Sequence, residues 1–296
     1  MNSLRLALNA DTTPLSVSDT LVFKSLRVRA QEAADAGFPA TNVDEEEGLT
    51  PGDARRIVSS LGLEIASGFF HGPFYDAAEE DRIFEAAVRK AEFAHALGQD
   101  ALFVSALVSP PERHRIAGRV RPGGTVSLDD AEFRQMAKLL ERIARLWRDY
   151  GITLCYHPHV ATYVEAPHEI DALMALTDPD LVKLGPDTGH LFFGGADPLA
   201  VIERYFARVG AIHLKDARAE IVEEARRGKL DYRQANARAV WTELGTGAID
   251  FPALFVMLRE RRWSGWVIVE TDHTRLATAL ESSRASRRYL KEKIGI

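Results

Sequence analysis

Gly151–His159 reads GITLCYHPH, Val182–Leu191 reads VKLGPDTGHL, Val209–Asp216 reads VGAIHLKD, and Trp266–His273 reads WVIVETDH. Each piece is a short run of strand-forming residues that stops abruptly at His, Asp or Glu. A parallel barrel has this signature, because the C-terminal ends of its successive strands aim side chains into one mouth. His157, Asp187, His213 and Glu270 then form a cluster of two imidazoles and two carboxylates. Two negative charges neutralise a divalent cation. Mixed nitrogen and oxygen donors suit Mn, Co, Zn or Fe better than Mg, which prefers an all-oxygen shell.

Outward from these pieces, strand-like and helix-like segments alternate along the whole chain. Apolar, β-rich runs lie at Leu4–Leu8, Ala40–Val43, Leu63–Ser67, Ala101–Leu107, Ile152–Tyr156, Leu181–Leu184, Ala211–Leu214 and Trp266–Val269. The stretches between them are amphipathic. Ala77–Leu97 places Ile83, Ala87, Ala91 and Ala94 on one helical face, and Pro51, Pro167, Pro198 and Pro252 stand where first helical turns are expected. Strand–helix alternation repeated eight times predicts an α/β fold, a (β/α)8 TIM barrel, as a single domain over residues 1–296. An open, doubly wound sheet would need a glycine-rich turn after its first strand, and ALNADTTPLS contains no glycine.

Composition narrows the class. A chain of 296 residues with 46% hydrophobic and 27% charged residues can bury a large core. The net charge of -6 argues against a nucleic-acid partner. The single cysteine, Cys155, cannot form an internal disulfide, which fits a reducing compartment. The apolar run in MNSLRLALNADTTP is too short for a signal peptide, and no stretch reaches the roughly 18 apolar residues of a membrane span. The expectation is a cytoplasmic protein without membrane contact; a homo-oligomer is compatible with it.

Two segments interrupt the alternation. Ser109–Ser127 is polar and rich in Pro, Gly and Arg, and Ala217–Trp241 is charged and partly helical. Both follow strands, near 109–127 and 217–241, and so belong to the active face, as lids, subunit contacts or solvated decorations. Several neighbours of the four strand-end residues are candidates for binding and catalysis. Lys215 shares a strand face with His213 and is placed to neutralise a substrate oxygen. His190 follows Asp187 by three residues and suits a hydrogen bond to a ligand or substrate. His159 is a fourth ligand, a substrate contact or a structural residue. Glu165 reaches the substrate or stabilises the helix that starts at Pro167. Cys155 is read as packing, LGTGAID at Leu244–Asp250 as a tight turn, and the basic cluster Arg284–Arg288 as a solvated helix face.

YHPHVATYVEAPHEIDALMALTDP, DTGHLFFGGADP, IHLKDAR and WVIVETD together resemble the xylose isomerase-like barrel superfamily of sugar isomerases, epimerases and endonucleases. Within it they look like the inosose (2-keto-myo-inositol) dehydratase branch. The resemblance covers most of the chain and is densest from Gly151 onward. It implies four strand-end metal ligands, of which Asp187, His213 and Glu270 match plainly. Where many sugar epimerases carry Glu at the fifth strand end, this chain has His157. NADTTPL after the first strand and FPATNVDEEEG at the second also depart from the dehydratase pattern. The resemblance thus implies a lyase acting on a keto-sugar or cyclic keto-polyol through an enediolate. Glu270, His190 and Lys215 are its expected catalytic groups, and one divalent metal its cofactor. A sugar isomerase or epimerase and a non-catalytic sugar-binding barrel are the alternatives. A DNA-repair endonuclease is disfavoured by the charge.

Overall fold

The computed structural model describes residues 4–107 and 110–296. In chain order the main elements are β1 (Leu4–Asn9), α1 (Leu26–Ala36), β2 (Ala40–Asn42), α2 (Pro51–Ser60), β3 (Glu64–Ala66), β4 (Gly68–His71), α3 (Glu80–Leu97), β5 (Ala101–Ser105), α4 (Asp130–Asp149), β6 (Thr153–Tyr156), α5 (Pro167–Leu176), β7 (Val182–Leu184), α6 (Thr188–Phe193), α7 (Pro198–Arg204), β8 (Ala211–Leu214), α8 (Phe251–Glu260), β9 (Gly265–Glu270) and α9 (Ala279–Tyr289). They fall into two compact units, Met1–Ala66 with Ile212–Ile296, and Ser67–Ala211.

The first unit carries a sheet in the order β3-β2-β1-β9-β8. β1 and β9 run parallel in a register that pairs Leu4 with Gly265 and Asn9 with Glu270. The two strands therefore end together, and their last side chains are neighbours. Ala7, Val267 and Ile268 are fully buried beneath that end. α1 buries Leu26, Ala30 and Ala33, while α9 turns Ser282, Ser283 and Ser286 inward. Such small residues let the two helices approach, and the Ser283 hydroxyl donates to Glu32 Oε1 at 2.8 Å. Arg287, on the face read as solvated, donates through Nε to the Gly37 carbonyl at 2.8 Å and so closes the end of α1.

The second unit carries the sheet β4-β5-β6-β7, parallel throughout. The face predicted for α3 is the buried one: Ile83, Ala87, Ala91 and Ala94 pack into a core with Phe70, Phe74, Met136, Leu140 and Trp147. The three alanines leave room for Trp147, whose indole N–H donates to the Ala87 carbonyl at 2.9 Å. A buried indole needs such a partner for its one polar atom.

The predicted strands all appear, with one difference. The third was expected to end at Ser67, but the chain resumes extended structure at Gly68–His71. Gly68 reads as a breaker in sequence, yet Phe69 and Phe70 carry strand propensity and pair with β5. The two segments expected as insertions carry local structure of their own. Pro111–Arg115 forms a short helix inside the first, whose opening residue Ser109 lies outside the described residues. The second is closed at its base by antiparallel pairing of Asp216–Ala217 with Trp241–Thr242 and holds helices at Ala219–Arg226 and Tyr232–Ala237. Among the described residues no helix is long and apolar enough to cross a membrane.

Candidate active site

In the second unit, the ends of β6 and β7 bring four of the expected residues together. His157 is the first residue beyond β6, and its backbone N–H donates to the Val104 carbonyl at 2.7 Å. Its ring is buried, edge-on to Phe69 and Phe103. Nδ1 lies 3.1 Å from the Gly185 carbonyl, which can only accept, so Nδ1 is the donor of this bond. This arrangement presets an imidazole as a metal ligand, because a hydrogen bond to backbone fixes both tautomer and ring orientation. Asp187, fully buried, caps α6: its Oδ1 accepts the His190 backbone N–H at 2.8 Å. That cap places the His190 ring 3.7 Å, centroid to centroid, from the His159 ring and 5.7 Å from that of His157.

His159 is held by a closed turn. Its N–H donates to the Val164 carbonyl at 3.1 Å, and its own carbonyl accepts from the Thr162 hydroxyl at 2.7 Å. Glu165 does not act as the charge at the start of α5. Glu169 does, its Oε2 accepting the backbone N–H groups of Glu165 and Ala166 at 3.0 and 3.1 Å. Arg113, from the first insertion, forks onto Glu169 through two 2.9 Å bonds, with both side chains at most 1% exposed. Arg113 and Glu169 were not singled out from sequence. The capping position of Glu169 was legible there; its pairing across 56 residues was not.

In the first unit, the ends of β8 and β9 bring together three more of the expected residues. His213 Nδ1 lies 2.9 Å from Glu270 Oε2. Glu270 Oε1 accepts from the Asn9 amide at 3.0 Å, a direct result of the β1–β9 register. Lys215 is 1% exposed, and its Nζ stands 3.0 Å from Asp272 and 3.5 Å from Glu270. The same ammonium lies 5.0 Å above the ring of Trp241, which the second insertion returns to the strand end. A buried ammonium needs such compensation: two carboxylates and an aromatic face. Asn9, Trp241 and Asp272 are partners that the sequence reading passed over. The WT pair at 241–242 reads as an ordinary strand, and only its antiparallel return to Asp216–Ala217 shows its use.

Two discounted signals are explained. Cys155 is fully buried, and burial pushes its thiol up to about 12, as for a packing residue. The LGTGAID turn holds an internal anion: Asp216 accepts backbone N–H groups of Ala217, Gly245, Gly247 and Ile249.

Residues 30–293 match the family model described as xylose isomerase-like TIM barrel. A protein of Geobacillus kaustophilus named inosose dehydratase is 36% identical over 81% of this chain and 78% of its own. One of Clostridium perfringens with the same name is 34% identical over 90% of this chain and 89% of its own. The solved structure titled as IOLI protein with a binding zinc atom superposes with a TM-score of 0.68 at 15% identity, covering 98% of this chain and 97% of that one. At that identity it speaks for the shared barrel fold. The chain belongs to the xylose isomerase-like TIM barrel family.

Proposed function

We propose that His157, Asp187, His213 and Glu270 hold one divalent metal ion, and that the protein is a metal-dependent dehydratase of a keto-polyol of the 2-keto-myo-inositol class. The observation that carries this reading is the preset His157 ring, its Nδ1 held on the Gly185 carbonyl just beyond the end of β6. The donor set fits the ion: two imidazoles for a borderline metal, and two carboxylates that cancel its charge. Mn, Co, Zn and Fe are favoured over Mg. The names of the relatives at 34–36% identity supply the substrate class.

When bound, the ion would supply Lewis acidity to the substrate carbonyl. The chain's own groups do the rest. Lys215, fixed by Asp272 and Trp241, neutralises the oxygen that gains charge as the adjacent C–H proton leaves. Glu270 takes that proton, with Asn9 holding its other oxygen. His190, with the His159 ring tilted close against it, donates a proton to the departing hydroxyl, which leaves as water. Phe69 and Phe103 wall the His157 side against bulk solvent.

The purified protein with Mn or Co and 2-keto-myo-inositol is expected to release water and develop enone absorbance. Deuterium incorporation next to the carbonyl without water loss would instead select an isomerase or epimerase. No reaction with any keto-polyol, at confirmed metal occupancy, would remove the enzymatic reading. Lys215→Met keeps the packing on Trp241 and removes the charge. Turnover is then expected to fall about 100-fold with little change in KM, the size of effect seen when one oxyanion donor is deleted. Unchanged kcat would place Lys215 outside the chemistry.

A further inference from the structure

Glu165, expected from sequence to reach the substrate, is 1% exposed, and both its carboxylate oxygens are engaged by backbone. Oε2 accepts the Ala161 N–H at 2.5 Å and Oε1 accepts the Gly118 N–H at 2.8 Å. Ala161 lies in the turn that carries His159 and has a φ of 67°, a left-handed conformation that a non-glycine residue adopts only when its surroundings hold it there. Gly118 lies in the first insertion, and a Cβ there would stand 2.8 Å from the carbonyl oxygen of Phe193, the last residue of α6. That helix carries His190. One carboxylate therefore ties together the turn that presents His159 and the insertion packed against the end of the His190 helix.

We propose that Glu165 is a positioning residue: by accepting the Ala161 and Gly118 amides together it holds the His159–His190 pair in its close, tilted geometry, and the pair loosens when one of those two bonds is lost. The assignment of acid–base work to that pair rests on the function proposed above. The tie itself does not.

The chemistry makes the tie sensitive to protonation. An ionised carboxylate accepts at both oxygens. A protonated one turns an O–H toward one of the two N–H groups and can accept properly from only the other. Burial pushes the Glu165 carboxyl up to about 7; the Arg113 charge and the two amides pull it down, and Glu169 pushes it up again. Arg113 and Glu169 are the charged groups that face it. Both bonds are therefore present at pH 8, and one is lost by pH 6. The linkage to stability runs the other way. The native state binds this proton more tightly than the unfolded chain, so the group's own contribution favours folding below about 4.5 and fades as pH rises through about 7.

Amide hydrogen exchange of the intact protein tests this, comparing peptides that cover residues 116–120 and 159–163 at pH 6 and pH 8 after correction for intrinsic rates. Expected is about tenfold greater protection at pH 8 in both peptides. In Glu165→Gln, protection should stay at the low level at both pH values. Equal protection at both pH values in the unmodified protein overturns the proposal, and needs no variant and no substrate. If a keto-polyol is turned over, Glu165→Gln should lose about tenfold in kcat with KM within twofold and metal content unchanged. A kcat equal to that of the unmodified protein would likewise overturn the positioning role. Absence of turnover in both proteins bears on the proposed function alone, because the exchange result stands apart from it.

Discussion

Asp187→Asn is expected to yield a folded protein that no longer retains its metal. The substitution changes little besides charge. Asn is as good a helix cap as Asp, and its carbonyl oxygen takes the place of Oδ1, which accepts the His190 N–H at 2.8 Å. α6 should keep its start, and the thermal midpoint should move by only a degree or two. What disappears is one of the two negative charges in the proposed donor set. Even the partners that merely orient metal ligands are worth about 10- to 100-fold in affinity, so loss of a ligand's charge should cost at least about 100-fold. Metal per chain after dialysis should fall to a small fraction of that in the unmodified protein, and turnover should fall by at least the same factor. Full occupancy in a well-folded Asp187→Asn would take Asp187 out of the ligand set. A large drop in midpoint would show instead that the residue serves mainly as a cap.

How much of this was legible beforehand depends on the range over which each signal acts. Strand ends were legible because the transition from VIV to E at Glu270, or from AI to HLKD at Ala211, is local and abrupt. The buried face of α3 was legible because helical periodicity is set by the residues themselves. The continuation of the third strand through Gly68 was not, since pairing with β5 overrides what a glycine suggests on its own. The supporting residues were the least visible. Asn9 meets Glu270 across 261 residues through strand register alone, and Trp241 meets Lys215 only because an insertion folds back to its own base. Glu165 shows the converse error. Its neighbourhood to Pro167 suggested a helix-end charge, but the spacing places Glu169 there, and Glu165 is drawn to amides 4 and 47 residues away.

The LGTGAID turn carries the largest expected effect on stability. Glycines at 245 and 247 expose backbone N–H groups much as phosphate-binding turns do, but here the anion comes from the chain itself. Asp216 is fully buried and accepts four backbone N–H groups, those of Gly245 and Gly247 both at 2.9 Å on Oδ2. A Cβ on Gly247 would lie 2.3 Å from Asp216 Oδ1, so the close approach requires glycine. Asp216→Ala would leave the donors facing a void. Each orphaned buried amide costs about 1–3 kcal/mol, and partial entry of water would satisfy some of them, so a net loss of roughly 4–5 kcal/mol is expected. Asp216→Asn should cost less, because one oxygen still accepts while its NH2 group opposes the remaining donors. The ordering in denaturant unfolding is therefore the unmodified protein, then Asn, then Ala. A milder effect of Ala than of Asn would mean that the turn is held by its own geometry and the carboxylate merely fills it. The consequence reaches function through the strand end: Asp216 immediately follows Lys215, and the turn it holds is continuous with Trp241–Thr242. Asp216→Ala should therefore lower turnover even where the protein remains folded.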